Sequence, residues 1–272
     1  MKLLSFSDLH VDNTNQILGG NITREIAAYI REVNPNRVIV AGDMAGGAER
    51  CIRYIEEIEQ QSGVPLSYVP GNHSIWTLNK QSDSWEEYHR LRDHHSSLID
   101  RPLQLNDEWV LIGDMGWYDY TLGDPTMTRQ QIVSKKEMVW KDSVLARWGM
   151  EDEELTDLMV DKFHRQLEAH RDKNVIFVNH FIPYQYYAPI SMHNRIWNTI
   201  RPFMGSSKIG TLLDSHEQVK YVIFGHVHWR YGPSEFHGKK VICQPLGYVS
   251  EWRSANKDVV TEIRNSATLI EI

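Results

Sequence analysis

Five short segments carry side chains able to hold metal ions: Ser7-Asp8-Leu9-His10, Ala41-Gly42-Asp43, Pro70-Gly71-Asn72-His73, Asn179-His180 and Gly225-His226-Val227-His228. Residues two apart on an extended segment project to the same side, so Asp8 and His10 can grip one ion together, and His226 and His228 share that spacing. Imidazole and carboxylate without thiolate is a donor set suited to Zn, Fe, Mn or Ni, and a carboxylate such as Asp43 can bridge two ions. Gly42, Gly71 and Gly225 stand beside these donors, where glycine permits sharp turns and close backbone approach.

Such donors act together only if the fold brings them to one place. Short, branched apolar runs at Leu3 to Phe6, Arg37 to Ala41, Leu66 to Val69, Val110 to Ile112, Val175 to Val178 and Tyr221 to Phe224 predict buried strands. Val241-Ile242-Cys243 and Leu269-Ile270 are candidate strands closing the sheet. Ile22, Ile26, Tyr29, Ile30 and Val33 recur at helical spacing before Pro35, and Ile52, Ile55 and Ile58 do so before Gly63. The alternation predicts a layered α/β fold in one domain spanning residues 1–272. A stretch from about residue 115 to 172, rich in aromatic and charged residues and amphipathic from Glu153 to Arg171, predicts a helical cap insertion. Every donor segment follows a predicted strand, at the edge where the loops of α/β sheets converge on a crevice.

In their order, D-x-H, G-D, G-N-H, N-H and G-H-x-H, these segments resemble the calcineurin-like metallophosphoesterase superfamily. The match runs from Asp8 to His228, and its force lies in five motifs in sequence, each at a strand end. The resemblance implies an α/β/β/α sandwich. It implies one ion held by Asp8, His10 and His228, another by Asn72, His180 and His226, Asp43 bridging both, and His73 as the catalytic histidine beside them. Two ions roughly 3.5–4 Å apart would clamp the phosphate oxygens and acidify a bridging water, the hydroxide being the nucleophile. His73, protonated, would donate to the leaving oxygen. The expected activity is hydrolysis of a small phosphomonoester or phosphodiester with no protein nucleophile. Many members carry an acidic residue after G-N-H; here it is Ser74, which brings no charge to orient His73 or raise its pKa. Asp43 is followed by Met44-Ala45-Gly46-Gly47 rather than the arginine-bearing sequence of the protein Ser/Thr phosphatases, which argues against that branch.

The formal net charge is −7, from 36 acidic and 29 basic residues. No Lys/Arg stripe marks a phosphate track, so nucleic acid is disfavoured as a partner and a nuclease is the alternative enzyme. A non-catalytic metal-binding scaffold is the alternative of another class, though such proteins tend to lack ligands that are intact here. The opening apolar run is too short for a signal peptide and nothing approaches a membrane span, so the expected location is cytoplasmic. Cys51 and Cys243 read as two ordinary thiols. The aromatics at Gly113 to Tyr120, and Tyr184, Tyr186 and Tyr187, read as packing between cap and sheet. His193 and Arg195 are candidates to line the crevice, Arg195 as a phosphate clamp, and Asp12 reads as a loop residue behind the ligands. His89, His94, His95, His164, His170, His216 and His237 read as ordinary surface or polar histidines.

Overall fold

A computed structural model describes residues 1–77 and 82–272. From the N-terminus the chain runs β1 (Lys2–Phe6), α1 (Val11–Leu18), α2 (Thr23–Val33), β2 (Arg37–Ala41), α3 (Ala48–Ser62), β3 (Leu66–Val69) and α4 (Ser84–Asp93). It continues through β4 (Leu103–Gln104), β5 (Trp109–Gly113), α5 (Arg129–Val139), α6 (Asp142–Leu145), α7 (Asp152–Ala169) and β6 (Asn174–Val178). It closes with α8 (Arg195–Ile200), α9 (Ser207–Asp214), β7 (Val219–Ile223), β8 (Gly232–Phe236), β9 (Lys239–Cys243), α10 (Val259–Asn265) and β10 (Thr268–Glu271).

The strands form two sheets, ordered β10-β1-β2-β3 and β4-β5-β6-β7-β9-β8. β1, β2 and β3 are parallel, as are β5, β6, β7 and β9, while β10, β4 and β8 join antiparallel. Alternation along the strands explains the layers. Leu3, Ile39, Val69 and Ile270 of the first sheet meet Leu111, Ile176, Ile223 and Ile242 of the second in one buried cluster between the sheets. Their neighbours Leu4, Phe6, Val38 and Val40, and Val110, Phe177 and Val222, join the larger core with the helices. Fully burying an aliphatic side chain of this kind contributes about 1.5–3 kcal/mol. The result is the α/β/β/α sandwich that the sequence resemblance implied.

The predicted strands all form, with ends shifted by a residue or two. Within residues 115–172, α7 is the crossover between parallel β5 and β6 and contacts β5 and α9, which makes it a helix of the sandwich layer. α5 and α6 carry the rest of that stretch over the C-terminal ends of the strands, where Asp142 reaches Asn72. Among the described residues, no helix is long and apolar enough to cross a membrane.

Candidate metal centre

The C-terminal ends of β1, β2, β3, β6 and β7 come together from both sheets. Backbone bonds lace the loops: Asp8 N–H donates to Gly42 O (3.1 Å), His10 N–H to Asp43 O (2.9 Å) and Gly225 N–H to His180 O (2.9 Å). Asp8, His10, Asp43, His226 and His228 all have left-handed backbone, with φ between 39° and 69°. Non-glycine residues in that region are strained and persist where surrounding structure over-determines them, typically at functional sites. The close approach also explains Gly71: a Cβ there would lie 2.2 Å from Asp43 Oδ1 and 2.7 Å from His180 Nε2.

All seven expected ligands and His73 meet in this one place. Asp8, His10 and His228 form one group of converging donor atoms and Asp43, His180 and His226 another. Asp43 stands between them, its Oδ2 3.4 Å from His180 Nε2, 3.8 Å from His10 Nε2 and 4.0 Å from His73 Nε2. Asn72 Oδ1 lies 3.3 Å from His180 Nε2.

Hydrogen bonds behind the histidines decide which nitrogens face inward. His180 Nδ1 lies 3.1 Å from the Ala41 carbonyl and His226 Nε2 3.2 Å from that of Phe203. A carbonyl only accepts, so both outward nitrogens are donors, which leaves His180 Nε2 and His226 Nδ1 facing each other at 3.1 Å. His10 Nε2 and His228 Nε2 approach each other to 3.0 Å, a separation that a shared proton or a cation holds, with His228 Nδ1 donating to Glu251 Oε2 at 2.9 Å. Asp8 Oδ2 is buried without a hydrogen-bond partner. Facing imidazole nitrogens and an orphaned buried carboxylate oxygen are a donor set that cations satisfy, so these residues fit two metal ions.

Burial lowers the His10 pKa to about 4 and, with His180 beside it, holds His226 well below its ordinary value, so both rings are neutral, whereas Asp43 outweighs burial at His180 and raises its pKa. Burial opposes charge on His228 as well, but Asp8 and Glu251 outweigh it and raise its pKa to about 10. Against its own desolvation, Asp8 is lowered to about 2 by His228.

Four further residues support the centre. Buried Asp142 accepts from Asn72 Nδ2 (2.9 Å), Trp76 Nε1 (2.6 Å), Trp140 Nε1 (2.8 Å) and the Tyr118 hydroxyl (3.2 Å), which turns the Asn72 carbonyl oxygen inward. Trp76 lies against His73 with ring centroids 3.6 Å apart. Tyr248 Oη is 3.3 Å from His73 Nε2, and Glu251 anchors both His228 and the Tyr248 N–H. Trp76 was visible only as a neighbour of G-N-H; the other three lie 69 to 178 residues from it, beyond any local spacing. Ser74 is buried and bonded to Tyr68 Oη and the Gly71 N–H, away from His73.

His73 opens on a cavity of about 630 Å³ whose wall includes Trp76, Tyr248, Lys141, Arg50 and Asp12. Asp12 accepts from the Gly46 N–H and pairs with Arg50. Arg195 does not reach this cavity; it lines a separate one of about 270 Å³ with Asp124 and Lys135, because α8 carries it outward. His193 and Tyr186 are exposed, whereas Trp117, Tyr118, Tyr184 and Tyr187 are buried in packing.

Among solved structures, phosphopantetheinyl hydrolase (PptH) from Mycobacterium tuberculosis aligns with a TM-score of 0.72 at 18% identity, over 92% of this chain and 91% of that one. A dimetal phosphatase from Danio rerio aligns at 0.54 with 13% identity, over 90% and 87%. The Thermus thermophilus protein TT1561 also aligns at 0.54 with 13% identity, over 90% and 88%. At such identities the likeness is one of fold. A search of the curated proteins found no match. Residues 1–230 match the family model for calcineurin-like phosphoesterases. With most of its length under that match, the chain belongs to the calcineurin-like phosphoesterase family.

Proposed function

We propose that the protein is a dinuclear metallophosphoesterase hydrolysing a small phosphomonoester or phosphodiester, its ions held by Asp8, His10 and His228 and by Asn72, His180 and His226, with Asp43 bridging. The observation that carries this reading is the two pairs of facing imidazole nitrogens on either side of Asp43 Oδ2. Bound there, two ions supply charge neutralisation for a phosphoryl group and a water of lowered pKa.

The chain's own residues do the rest. His180 and His226, fixed by the Ala41 and Phe203 carbonyls, cannot turn away from the centre. Asp142 holds Asn72 in the one amide orientation that presents oxygen. His73, partly open to the cavity, directs Nε2 toward the leaving oxygen and donates to it. Burial lowers its pKa. An anionic phosphoryl group beside it works the other way, raising the pKa in the complex so that a proton is held until the ester bond breaks. Trp76 and Tyr248 keep the ring at that angle.

We take residues 1–272 as one domain and, of the helical insert expected at about 115–172, assign α5 and α6 to it, a reading supported by the contact of Asp142 with the centre. One similar structure is named a phosphopantetheinyl hydrolase. With a cavity of about 630 Å³ beside His73, that name makes an organic phosphodiester a substrate class to try first. His73→Ala and Asp43→Asn are expected to stay folded and to lose turnover about 10²- to 10⁴-fold. Unchanged turnover in both would overturn the proposal.

A further inference from the structure

The geometry points to a third metal site, sharing no residue with the candidate centre, in which His164, Glu168 and His216 hold one zinc-type ion and clip α7 to the segment between α9 and β7. His164 and Glu168 are one helical turn apart on α7, so both project from the same face. His216 follows α9, and its ring comes to within 5.8 Å, centroid to centroid, of that of His164. The donor atoms converge on one oxygen: His216 Nε2 lies 3.0 Å and His164 Nε2 3.6 Å from Glu168 Oε1. Ligands about 2.0–2.1 Å from a tetrahedral zinc lie roughly 3.3 Å from one another, so the three atoms need only small shifts to share an ion. Two imidazoles and one carboxylate is a zinc donor set that leaves a fourth position for water.

His216 is the built part of the site. Its residue is 4% exposed, and Nδ1 lies 2.9 Å from the Leu212 carbonyl, which fixes Nδ1 as a donor and aims Nε2 at Glu168. In the absence of an ion that nitrogen meets a carboxylate oxygen at 3.0 Å, which only a proton or a metal cation can hold. Arg171 is the resident competitor, its Nε 2.8 Å from Glu168 Oε2 and its Nη2 2.6 Å from Oε1. Its side chain is 69% exposed, and a pair so open to solvent is weak, so an incoming ion can displace it. The site joins the crossover helix of one strand pair to the start of the neighbouring strand, so an ion there would brace the outer helical layer of the second sheet.

The test is total bound metal per chain, by elemental analysis after equilibration with zinc and gel filtration, for the intact protein and for the variants His164→Ala and Glu168→Gln. The expected result is one zinc fewer in each variant than in wild type, with phosphoesterase turnover unchanged. The difference between proteins reads this site alone, however many ions the candidate centre takes. Arg171→Ala is expected to tighten zinc binding at this site roughly two- to fivefold, the reverse of the other variants, because it removes the competitor. Equal zinc content in wild type, His164→Ala and Glu168→Gln would overturn the proposal.

Discussion

Removing the Asp142 carboxylate should cost metal affinity more than it costs the fold. In Asp142→Ala the donors of Asn72, Trp76, Trp140 and Tyr118 lose their common acceptor. The two indoles are half-buried and can reach water. Asn72 is 2% exposed and has no such recourse, so its stranded amide costs roughly 1–3 kcal/mol of stability. The larger effect is orientation. Without Asp142 nothing prevents the amide from turning its NH₂ toward His180 Nε2, now 3.3 Å from Asn72 Oδ1. The ion assigned to Asn72, His180 and His226 then loses an oxygen ligand, and losses of about 10- to 100-fold in metal affinity follow from removing such supporting partners. Asp142→Asn retains one acceptor oxygen for Asn72 and Trp76 and should lose less than Asp142→Ala. The assay is calorimetric titration of chelated protein with Mn or Zn, in parallel with thermal unfolding. Wild-type affinity for both ions in a folded Asp142→Ala protein would refute the idea that the insert orients Asn72.

Gly71→Ala should abolish binding at the bridging position, because its Cβ would intrude to 2.2 Å from Asp43 Oδ1; elemental analysis should find bound metal reduced, and full occupancy would count against the geometry. The chelated protein should be most stable near pH 6.5. His10, held near 4, and His226, also held well below its ordinary value, stay neutral in the folded chain while their unfolded counterparts protonate near 6.5. The unfolded state therefore binds more protons below that value, and stability is lost as pH falls from about 6.5 toward 4. His228 has the opposite sign: raised to about 10, it contributes fully below 6.5 and loses that contribution as pH climbs toward 10. A thermal midpoint that stays flat between pH 4.5 and 8 would contradict these assignments.

Local rules reached the strands and the donor segments because both are written in adjacent residues. Leu3 to Phe6 shows its burial in its own composition, and Asp8 with His10 shows a shared face in its own spacing. The partnership of Asp142 with Asn72 was hidden because it joins positions 70 residues apart through a buried carboxylate, and helix α7 read as part of a cap because amphipathicity says that one face is buried without saying against what. Tyr248 and Glu251 follow Gly247, whose N–H bonds to the Asp8 carbonyl at 3.0 Å, and only that tertiary link brings them beside His73 and His228. His164 and His216, each ordinary alone, meet because α7 and α9 pack together. Arg195 was drawn toward the site by its position after His180, but α8 carries it to a different cavity.

The most direct test of the central claim is hydrolysis of bis-para-nitrophenyl phosphate and para-nitrophenyl phosphate by chelated protein refilled with Mn, Fe, Ni or Zn, beside His73→Ala under the same conditions. Turnover should be absent after chelation, restored by at least one metal, and reduced about 10²-fold or more in His73→Ala. Turnover that survives chelation, or that the variant retains in full, would contradict it.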